Sequence, residues 1–271
     1  MPRLVHDFNE VAASDRLGTA STDIEGGAMR LDAVEIKVSL AGDQVTEGLR
    51  RFDLSGDGKR RQIFFADDPL SGAPVALPLL DGGLILRVRE SADEKVESTV
   101  KLRPCRRSQL TDGWLAAGKT ASSEFRLEAD WTGERRVLAA SCSADRKTGS
   151  LDAALEGREP LSTLFSDEQE RFVEECAGLR VNLNAVVLLG PVAANRWGPL
   201  QVDRFEVVAE RWRIAGALDF LELSIRVDPG QAERAQQEFE ALVRGRGLDL
   251  DVRQETKTRR VLEHLAAART D

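Results

Sequence analysis

The chain has 271 residues, of which 42% are hydrophobic and 31% are charged, and its formal net charge is −8. This length is sufficient for one large domain or two ordinary ones with a sizeable core. An acidic chain is a poor partner for duplex nucleic acid, because affinity for a duplex comes from neutralising its phosphates. No apolar run is long enough to span a bilayer, so we expect no transmembrane helix and no membrane partner.

The first residues and the cysteines bear on where the protein resides. The segment 1–28 is polar and rich in Gly, Ser, Thr and Asp, which predicts a flexible N-terminal arm followed by a single domain over 29–271. The arm lacks the apolar stretch of a secretory signal peptide. Three cysteines without metal-ligand spacing (Cys105, Cys142 and Cys176) favour reduced thiols, and we expect a cytoplasmic protein.

Alternation of apolar and polar residues with a period of two dominates the chain from Met29 onward and predicts a series of strands. Clusters of Gly, Asp, Pro and Ser separate them and predict turns. The predicted strands cover residues 31–40, 60–67, 84–90, 98–104, 124–131, 136–143, 185–191, 202–214 and 219–227.

Predicted helices are fewer and lie in the second half of the chain. Ser166 and Gln169 form a capping box that opens a helix over 166–179. The Asp-Pro pair at 228–229 is typical of the start of a second helix, and a third covers 255–268. Strands followed by a few late helices favour an α+β fold with a mainly antiparallel sheet over a doubly wound parallel fold.

Successive side chains of a strand point to opposite faces, so each predicted strand separates into an apolar row and a charged row. In the strand at 84–90, for example, Leu86 and Val88 oppose Arg87 and Arg89. The charged rows together contain the cations Lys37, Arg87, Arg89, Lys101, Arg103, Arg126, Arg211, Arg213 and Arg226. Their acids are Glu35, Glu128, Asp130 and Glu222. An acidic chain is therefore predicted to have a basic sheet face.

Two interpretations of this face are open. An antiparallel sheet with one solvated face explains any single strand. If the sheet closes into a barrel, the same groups lie inside, where like charges persist only beside anionic ligands or paired acids. The rows taken together favour the second interpretation, a barrel or deep cleft that binds a compact and highly charged anion. Its few carboxylates are hard oxygen ligands that suit Mg²⁺ or Mn²⁺.

The ordered set of strands resembles the CYTH superfamily, the triphosphate tunnel metalloenzymes, which includes thiamine and inorganic triphosphatases and class IV adenylyl cyclases. GLILRVRE and STVKLRP resemble the central strands of that family, FRLEAD its Arg/acidic strand, LELSIRV its late acidic strand and TKTRRVLEHL its C-terminal helix. The resemblance runs from Met29 to the C-terminus. It implies an antiparallel, closed or nearly closed barrel that forms a tunnel with flanking helices. Barrels of this family often pair, so a homodimer is an expectation.

The resemblance also implies roles for individual residues. The triphosphate would be bound by Arg87, Arg89, Lys101, Arg126, Arg211 and Lys257. Arg103 and Arg213, which lie on the same charged rows, are further candidates for binding it. Mg²⁺ or Mn²⁺ would be held by Glu35, Glu128, Asp130 and Glu222. Lys37, with Glu35 on the same face, would titrate low enough to help activate water. Ala33 and Ser224 stand where the family pattern has glutamates, so we expect one metal ion rather than two.

The expected function is therefore metal-dependent hydrolysis of a triphosphate, which is inorganic triphosphate or a nucleoside or thiamine triphosphate. One alternative is a cyclase that converts ATP to cyclic AMP, and another is a protein that binds a polyphosphate or nucleotide without turning it over. The segment GWLAAGKT (113–120) satisfies the phosphate-loop pattern, but a strand-like segment rather than a helix follows it, which indicates coincidence. His6 and His264 are the only histidines, and we expect both at the surface.

Overall fold

The structure is a computed structural model and describes residues 31–56, 58–68, 76–250 and 257–268. The predicted arm and His6 lie outside these ranges. Within them, each predicted strand is present. The strands are β1 (Ala33–Ala41), β2 (Lys59–Asp67), β3 (Leu84–Ser91), β4 (Val96–Leu102), β5 (Glu124–Thr132), β6 (Arg135–Arg146), β7 (Val187–Val202), β8 (Phe205–Ile214) and β9 (Leu218–Val227).

The described strands close into a barrel in the order β1-β5-β6-β4-β3-β2-β7-β8-β9. Strand β1 lies between β5 and β9, parallel to β5 and antiparallel to β9. The predicted closure is confirmed, but the prediction of an antiparallel barrel is wrong at the β1–β5 pair. A closed ring with an odd number of strands cannot alternate in direction throughout, so at least one parallel pair is unavoidable.

Strand β7 is much longer than the predicted strand at 185–191. It continues to Val202 through an irregularity in its pairing with β8, between Trp197 and Leu200. Gly198 and Pro199 lie at this point. The sequence indicated a turn there because these residues usually interrupt a strand, but a bulge accommodates both without ending the pairing.

Seven α-helices accompany the barrel in the described residues. They are α1 (Asp43–Arg51), α2 (Pro78–Asp81), α3 (Asp112–Ala116), α4 (Ser150–Leu155), α5 (Asp167–Cys176), α6 (Ala232–Gly245) and α7 (Lys257–Ala267). Helices α5, α6 and α7 confirm the three predicted ones. The first four were not predicted, because segments this short show too few turns for helical periodicity to stand out. None of the described helices has the length and apolarity needed to cross a membrane.

Helices α5 and α6 pack against the outside of the barrel. Phe172 of α5 belongs to the same buried cluster as Val88 and Val100, and Phe239 of α6 packs in a second cluster with Ile36. These strand residues come from the apolar rows of the predicted strands. Because the apolar rows are covered from outside, the charged rows of the same strands point into the barrel.

Helix α7 fills one end of the barrel. Its Val261 and Leu262 pack with Ile63, Phe65 and Trp212, which are inward-facing residues of the strands. At this end, where β1 and β2 finish, apolar side chains therefore line part of the interior of the barrel, beside charged ones.

Gln169 of α5 fixes the helix to the barrel wall. Its buried side-chain amide donates to the carbonyl oxygens of Ser98 and Cys142, at 3.1 and 2.9 Å. Its Oε1 accepts from Ser98 Oγ and from the Ser166 backbone N–H. The predicted capping box is thus confirmed, and the same side chain ties together β4 and β6, whose inner faces carry site residues.

We expect Gln169→Ala to lower the free energy of unfolding by about 2–4 kcal/mol, because several buried polar groups lose their partners at once. Denaturant-induced unfolding measures this change. Glu174→Ala, on the exposed side of the same helix, is the matched control and should leave stability within about 0.5 kcal/mol of the wild type. Equal midpoints for both variants would contradict the assignment.

Candidate functional site

The interior of the barrel is a cavity of about 270 Å³, which we call the tunnel. In the described part of the chain, eight basic side chains and six carboxylates line it. The basic residues are Lys37, Arg87, Arg89, Lys101, Arg103, Arg126, Arg226 and Lys257, and the acidic ones are Glu35, Glu97, Glu124, Glu128, Glu210 and Glu222. These groups face inward rather than into bulk solvent, so the barrel interpretation of the charged rows is the correct one.

Two of the predicted substrate-binding residues lie elsewhere. Glu210 and Trp212 of β8 line the tunnel, so Arg211 and Arg213 point to the other face of the strand. Arg211 binds Asp219 of β9 through two hydrogen bonds, at 2.8 and 2.6 Å, and Arg213 donates to Asn195 Oδ1. The sequence placed both arginines on the wrong face.

Three tunnel carboxylates were absent from the predicted site. Glu97 was not predicted as a site residue because the predicted strand at 98–104 begins one residue after it, whereas β4 begins at Val96. Glu124 could have been found, since it alternates with Arg126 and Glu128 on a predicted strand. Glu210 lies on the same side of β8 as Trp212, and the prediction that Arg211 and Arg213 occupy the charged face makes that side the apolar one.

Asp130 is the acidic centre of the tunnel wall. Its side chain has no exposed surface, and its carboxylate lies 2.9 Å from Lys101 Nζ, 2.9 Å from Arg103 Nε and 3.4 Å from Lys37 Nζ. Burial acts to raise the pKa of Asp130, but the fields of these three cations outweigh burial and lower it. Asp130 is therefore ionised and committed to the basic residues, so it does not serve as a free metal ligand.

Lys37 remains protonated. Burial by itself would lower its pKa, but the charges of Glu35, Asp130 and Glu222 raise it above the usual lysine value. Its ammonium group lies 2.7 Å from Glu35 Oε2. The prediction that Lys37 titrates low enough to activate water is therefore wrong, and its role is that of a fixed positive charge.

Arg87 is the tunnel cation that forms no ion pair within the described residues, and Lys101 is a second cation whose pKa is lowered. Burial, with the neighbouring charge of Arg89, lowers the pKa of Arg87 to about 10. Its only hydrogen bond within the described residues is a long one to Thr99 Oγ1, at 3.4 Å, and its Nε has no partner there. Burial also lowers the pKa of Lys101, and Lys37 and Arg103 lower it further, although Asp130 opposes the shift. Both cations would be stabilised by an anion in the tunnel.

The predicted metal ligands do not form one cluster. No group of three or more His, Cys, Asp or Glu side chains in the described ranges could hold a metal ion. Asp130 is committed to three cations, and Glu222 lies 2.7 Å from Lys257 Nζ. Glu35 is also paired, at 2.7 Å from Lys37 Nζ, and Glu128 makes a longer contact, at 3.3 Å from Arg226 Nη2.

Glu35 and Glu128 nevertheless fit a single divalent cation. Burial and the neighbouring charge of Glu35 raise the pKa of Glu128, although Arg226 acts against the shift. A cation between two carboxylates that repel each other would relieve this destabilisation. Magnesium is typically held by one or two carboxylates together with substrate phosphates, so this pair provides the expected protein share of such a site.

Lys257 lies at the start of α7, at the end of the tunnel that this helix fills. Its ammonium group lies 2.7 Å from Glu222 Oε1, 3.3 Å from Glu210 Oε2 and 4.2 Å from the centroid of the Trp212 ring. Burial acts to raise the pKa of Glu210, but the charges of Lys257 and Arg89 lower it to about 2. Lys257 therefore reaches the tunnel as predicted, with two carboxylates as its partners.

The remaining sequence motifs carry no chemistry in the structure. The segment 113–120 contains most of α3, and Lys119 pairs in an isolated β-bridge with Glu124, so no helix follows the loop as a phosphate loop requires. The three cysteines are free and buried, and burial raises the pKa of Cys105 and of Cys142 to about 11, which leaves these thiols protonated.

No protein-family profile and no curated protein sequence matches this chain. Solved structures do match it. A candidate adenylyl cyclase from Hippeastrum that reveals a dominant triphosphatase activity has a TM-score of 0.56 at 15% identity, over 84% of this chain and 93% of that one. A candidate adenylate cyclase from Bacillus halodurans has a TM-score of 0.54 at 12% identity, over 84% of this chain and 96% of that one. The chain has a CYTH-type fold. At these identities the likeness establishes the fold and not the activity.

We expect Asp130→Asn to destabilise the CYTH-type barrel by about 3–5 kcal/mol at pH 7, because three buried cations lose their shared carboxylate. Denaturant unfolding of both proteins measures the difference. The pKa of Asp130 is lowered in the folded state, so its contribution is present above the unfolded value, about 4, and is lost as the pH falls below it. The difference between wild type and variant should therefore shrink below about pH 4.

Asp145→Asn is the control for this measurement, because Asp145 is an exposed residue at the end of β6. A difference between wild type and Asp130→Asn that is absent at pH 7, or that grows on acidification, would contradict the role assigned to Asp130.

Proposed function

We propose that this protein binds a triphosphate in the tunnel and hydrolyses it with a divalent cation. The observation that carries the proposal is the guanidinium of Arg87, which lines the tunnel, is half-buried with a buried and unpartnered Nε, and makes no ion pair within the described residues. An unpaired buried charge is destabilising. A fold that retains one in a cavity is therefore built to receive an anion there.

The charge of the tunnel favours a polyphosphate over a singly charged anion. Among the described residues, eight basic side chains face six lining carboxylates and the buried Asp130, and Arg87 is the one of the eight that forms no ion pair. Guanidinium groups make bidentate hydrogen bonds to phosphate oxygens. Thr99, Ser141 and Ser143 add neutral hydroxyl donors on the same wall.

Phosphoryl transfer depends on positioning and charge neutralisation more than on covalent chemistry by the protein. In hydrolysis of inorganic triphosphate, the oxygen of a water molecule bonds to the terminal phosphorus, the bridging P–O bond breaks, and diphosphate leaves with that electron pair. One proton of the water passes to a phosphate oxygen. Arg87 and Lys101 would hold the phosphate oxygens, and the protonated Lys37 would stabilise negative charge. Glu35 and Glu128 would hold Mg²⁺ or Mn²⁺, which neutralises charge that develops in the transition state.

Two other activities share the same binding chemistry. A cyclase would use a ribose hydroxyl instead of water as the attacking group, and the relatives in Hippeastrum and Bacillus halodurans are candidate cyclases by name. A protein that only binds the anion is favoured by Ala33 and Ser224, which stand where the family pattern has carboxylates. The three are separated by incubating the purified protein with inorganic triphosphate or ATP and Mg²⁺ or Mn²⁺, and measuring phosphate and cyclic AMP. Tight triphosphate binding without either product would exclude both enzyme activities.

We expect Arg87→Gln to lower kcat/KM for inorganic triphosphate by roughly 100- to 1000-fold, because a desolvated donor to the reacting phosphates is lost. Phosphate release under steady-state conditions measures the effect. Arg213→Gln is the matched control, since Arg213 lies on the other face of the barrel wall, and it should retain the wild-type rate. Equal losses in the two variants would refute a substrate site in the tunnel.

We also expect Glu128→Gln to weaken Mn²⁺ binding at least about tenfold, because one of two anionic oxygen ligands becomes neutral. Electron paramagnetic resonance of free Mn²⁺ in a titration of the substrate-free protein measures the affinity. Glu124→Gln is the control, as Glu124 lines the tunnel but pairs with Arg126 at 2.9 Å. If the control weakens Mn²⁺ binding as much as Glu128→Gln does, the metal site lies elsewhere.

A further inference from the structure

A second cavity, of about 260 Å³, lies beside the end of the tunnel that α7 fills. It is bounded by α2, by the first turns of α7 and by Arg135 at the start of β6. We call it the rear pocket. Ile85, Arg103 and Thr258 line both the rear pocket and the tunnel. These three side chains therefore form the partition between the two cavities. A small anion could pass from one cavity to the other by movement of these side chains, without movement of a strand.

The rear pocket is under-neutralised. Three arginines line it, namely Arg103, Arg135 and Arg259, against two acids, Asp81 and Glu263. Both acids pair with Arg259 Nη1, at 2.9 and 3.4 Å. Arg135 is an exposed residue that forms no ion pair in the described ranges, and its partial burial together with the charges of Arg103 and Arg259 lowers its pKa. The two acids of the pocket thus pair with Arg259 and leave the charge of Arg135 without an acidic partner in the pocket.

Arg103 connects this charge to the tunnel. Its side chain is 11% exposed, and its Nε lies 2.9 Å from Asp130 Oδ2. Asp130 also forms ion pairs with Lys37 and Lys101, so three cations share one carboxylate. Asp130 therefore leaves some N–H donors of the Arg103 guanidinium without an acceptor. These donors can bind a small anion in the tunnel or in the rear pocket, because Arg103 lines both.

We propose that the rear pocket is a second anion site, which binds inorganic phosphate through Arg103, Arg135 and Arg259. The source of that phosphate rests on the proposed function: hydrolysis of inorganic triphosphate at its terminal phosphorus yields diphosphate and a phosphate that carries the water oxygen. Phosphate is compact enough for the pocket and takes charge-assisted hydrogen bonds from guanidinium groups. It would leave past Arg103 while the longer product returns through the tunnel.

The test fills the tunnel first and then titrates phosphate. The full chain is saturated with imidotriphosphate, an analogue that resists hydrolysis, and binding of inorganic phosphate is followed by isothermal titration calorimetry. We expect the wild type to bind phosphate under these conditions and Arg135→Gln to bind it at least about tenfold more weakly. Arg136→Gln is the matched control, because Arg136 pairs with Glu233 and stacks on Trp131 outside the pocket, and it should bind as the wild type does.

Loss of all phosphate binding once the tunnel is filled would overturn the proposal, and so would wild-type affinity in Arg135→Gln. If imidotriphosphate does not bind at all, the proposed function fails. Titration of the substrate-free variants with inorganic phosphate then tests whether the rear pocket is an anion site. In that case Arg87→Gln should retain phosphate binding and Arg135→Gln should lose it, whereas the reverse pattern would overturn the rear site. Thermal melting of each variant confirms that it is folded.

Discussion

Three cations share the buried carboxylate of Asp130, and the arrangement of the tunnel depends on that interaction. Lys37 enters from β1, Lys101 from β4 and Arg103 from just beyond β4, so one side chain of β5 holds positive groups from across the barrel wall. Without it, closure would force like charges together in a medium of low polarity. With it, the cations are held in place but remain in excess, which leaves them ready for an anion.

Closure of the barrel places the charged side chains of the strands inside it and the apolar ones outside, where α5 and α6 cover them. Near α7, apolar side chains also point inward, where Phe65 and Trp212 meet Val261 and Leu262. Lys257, at the start of that helix, contacts the Trp212 ring as well as the carboxylates of Glu210 and Glu222.

The change of polarity along the interior explains where sequence interpretation failed. On β8, the apolar face is the outer one at Val207 and Ala209, beneath α6, but the inner one at Trp212, beneath α7. The apolar side of the strand thus changes between Ala209 and Trp212. A pattern that follows hydrophobicity alone assigns Arg211 and Arg213 to the charged face and misses Glu210. On β3, β4 and β5 no such change occurs, and the residues predicted there do line the tunnel.

The sequence by itself determined the strands, the three late helices and the basic rows of β3 and β4, because strand periodicity is a local property, and the order of these strands favoured a closed barrel through its resemblance to a known family. Only the tertiary structure decided the parallel β1–β5 pair, the protonated state of Lys37 and the cation with which each acid pairs. Each of these depends on which side chains meet across strands far apart in the chain. A pKa is set by such neighbours and by burial, and neither is written in the spacing of residues along one strand.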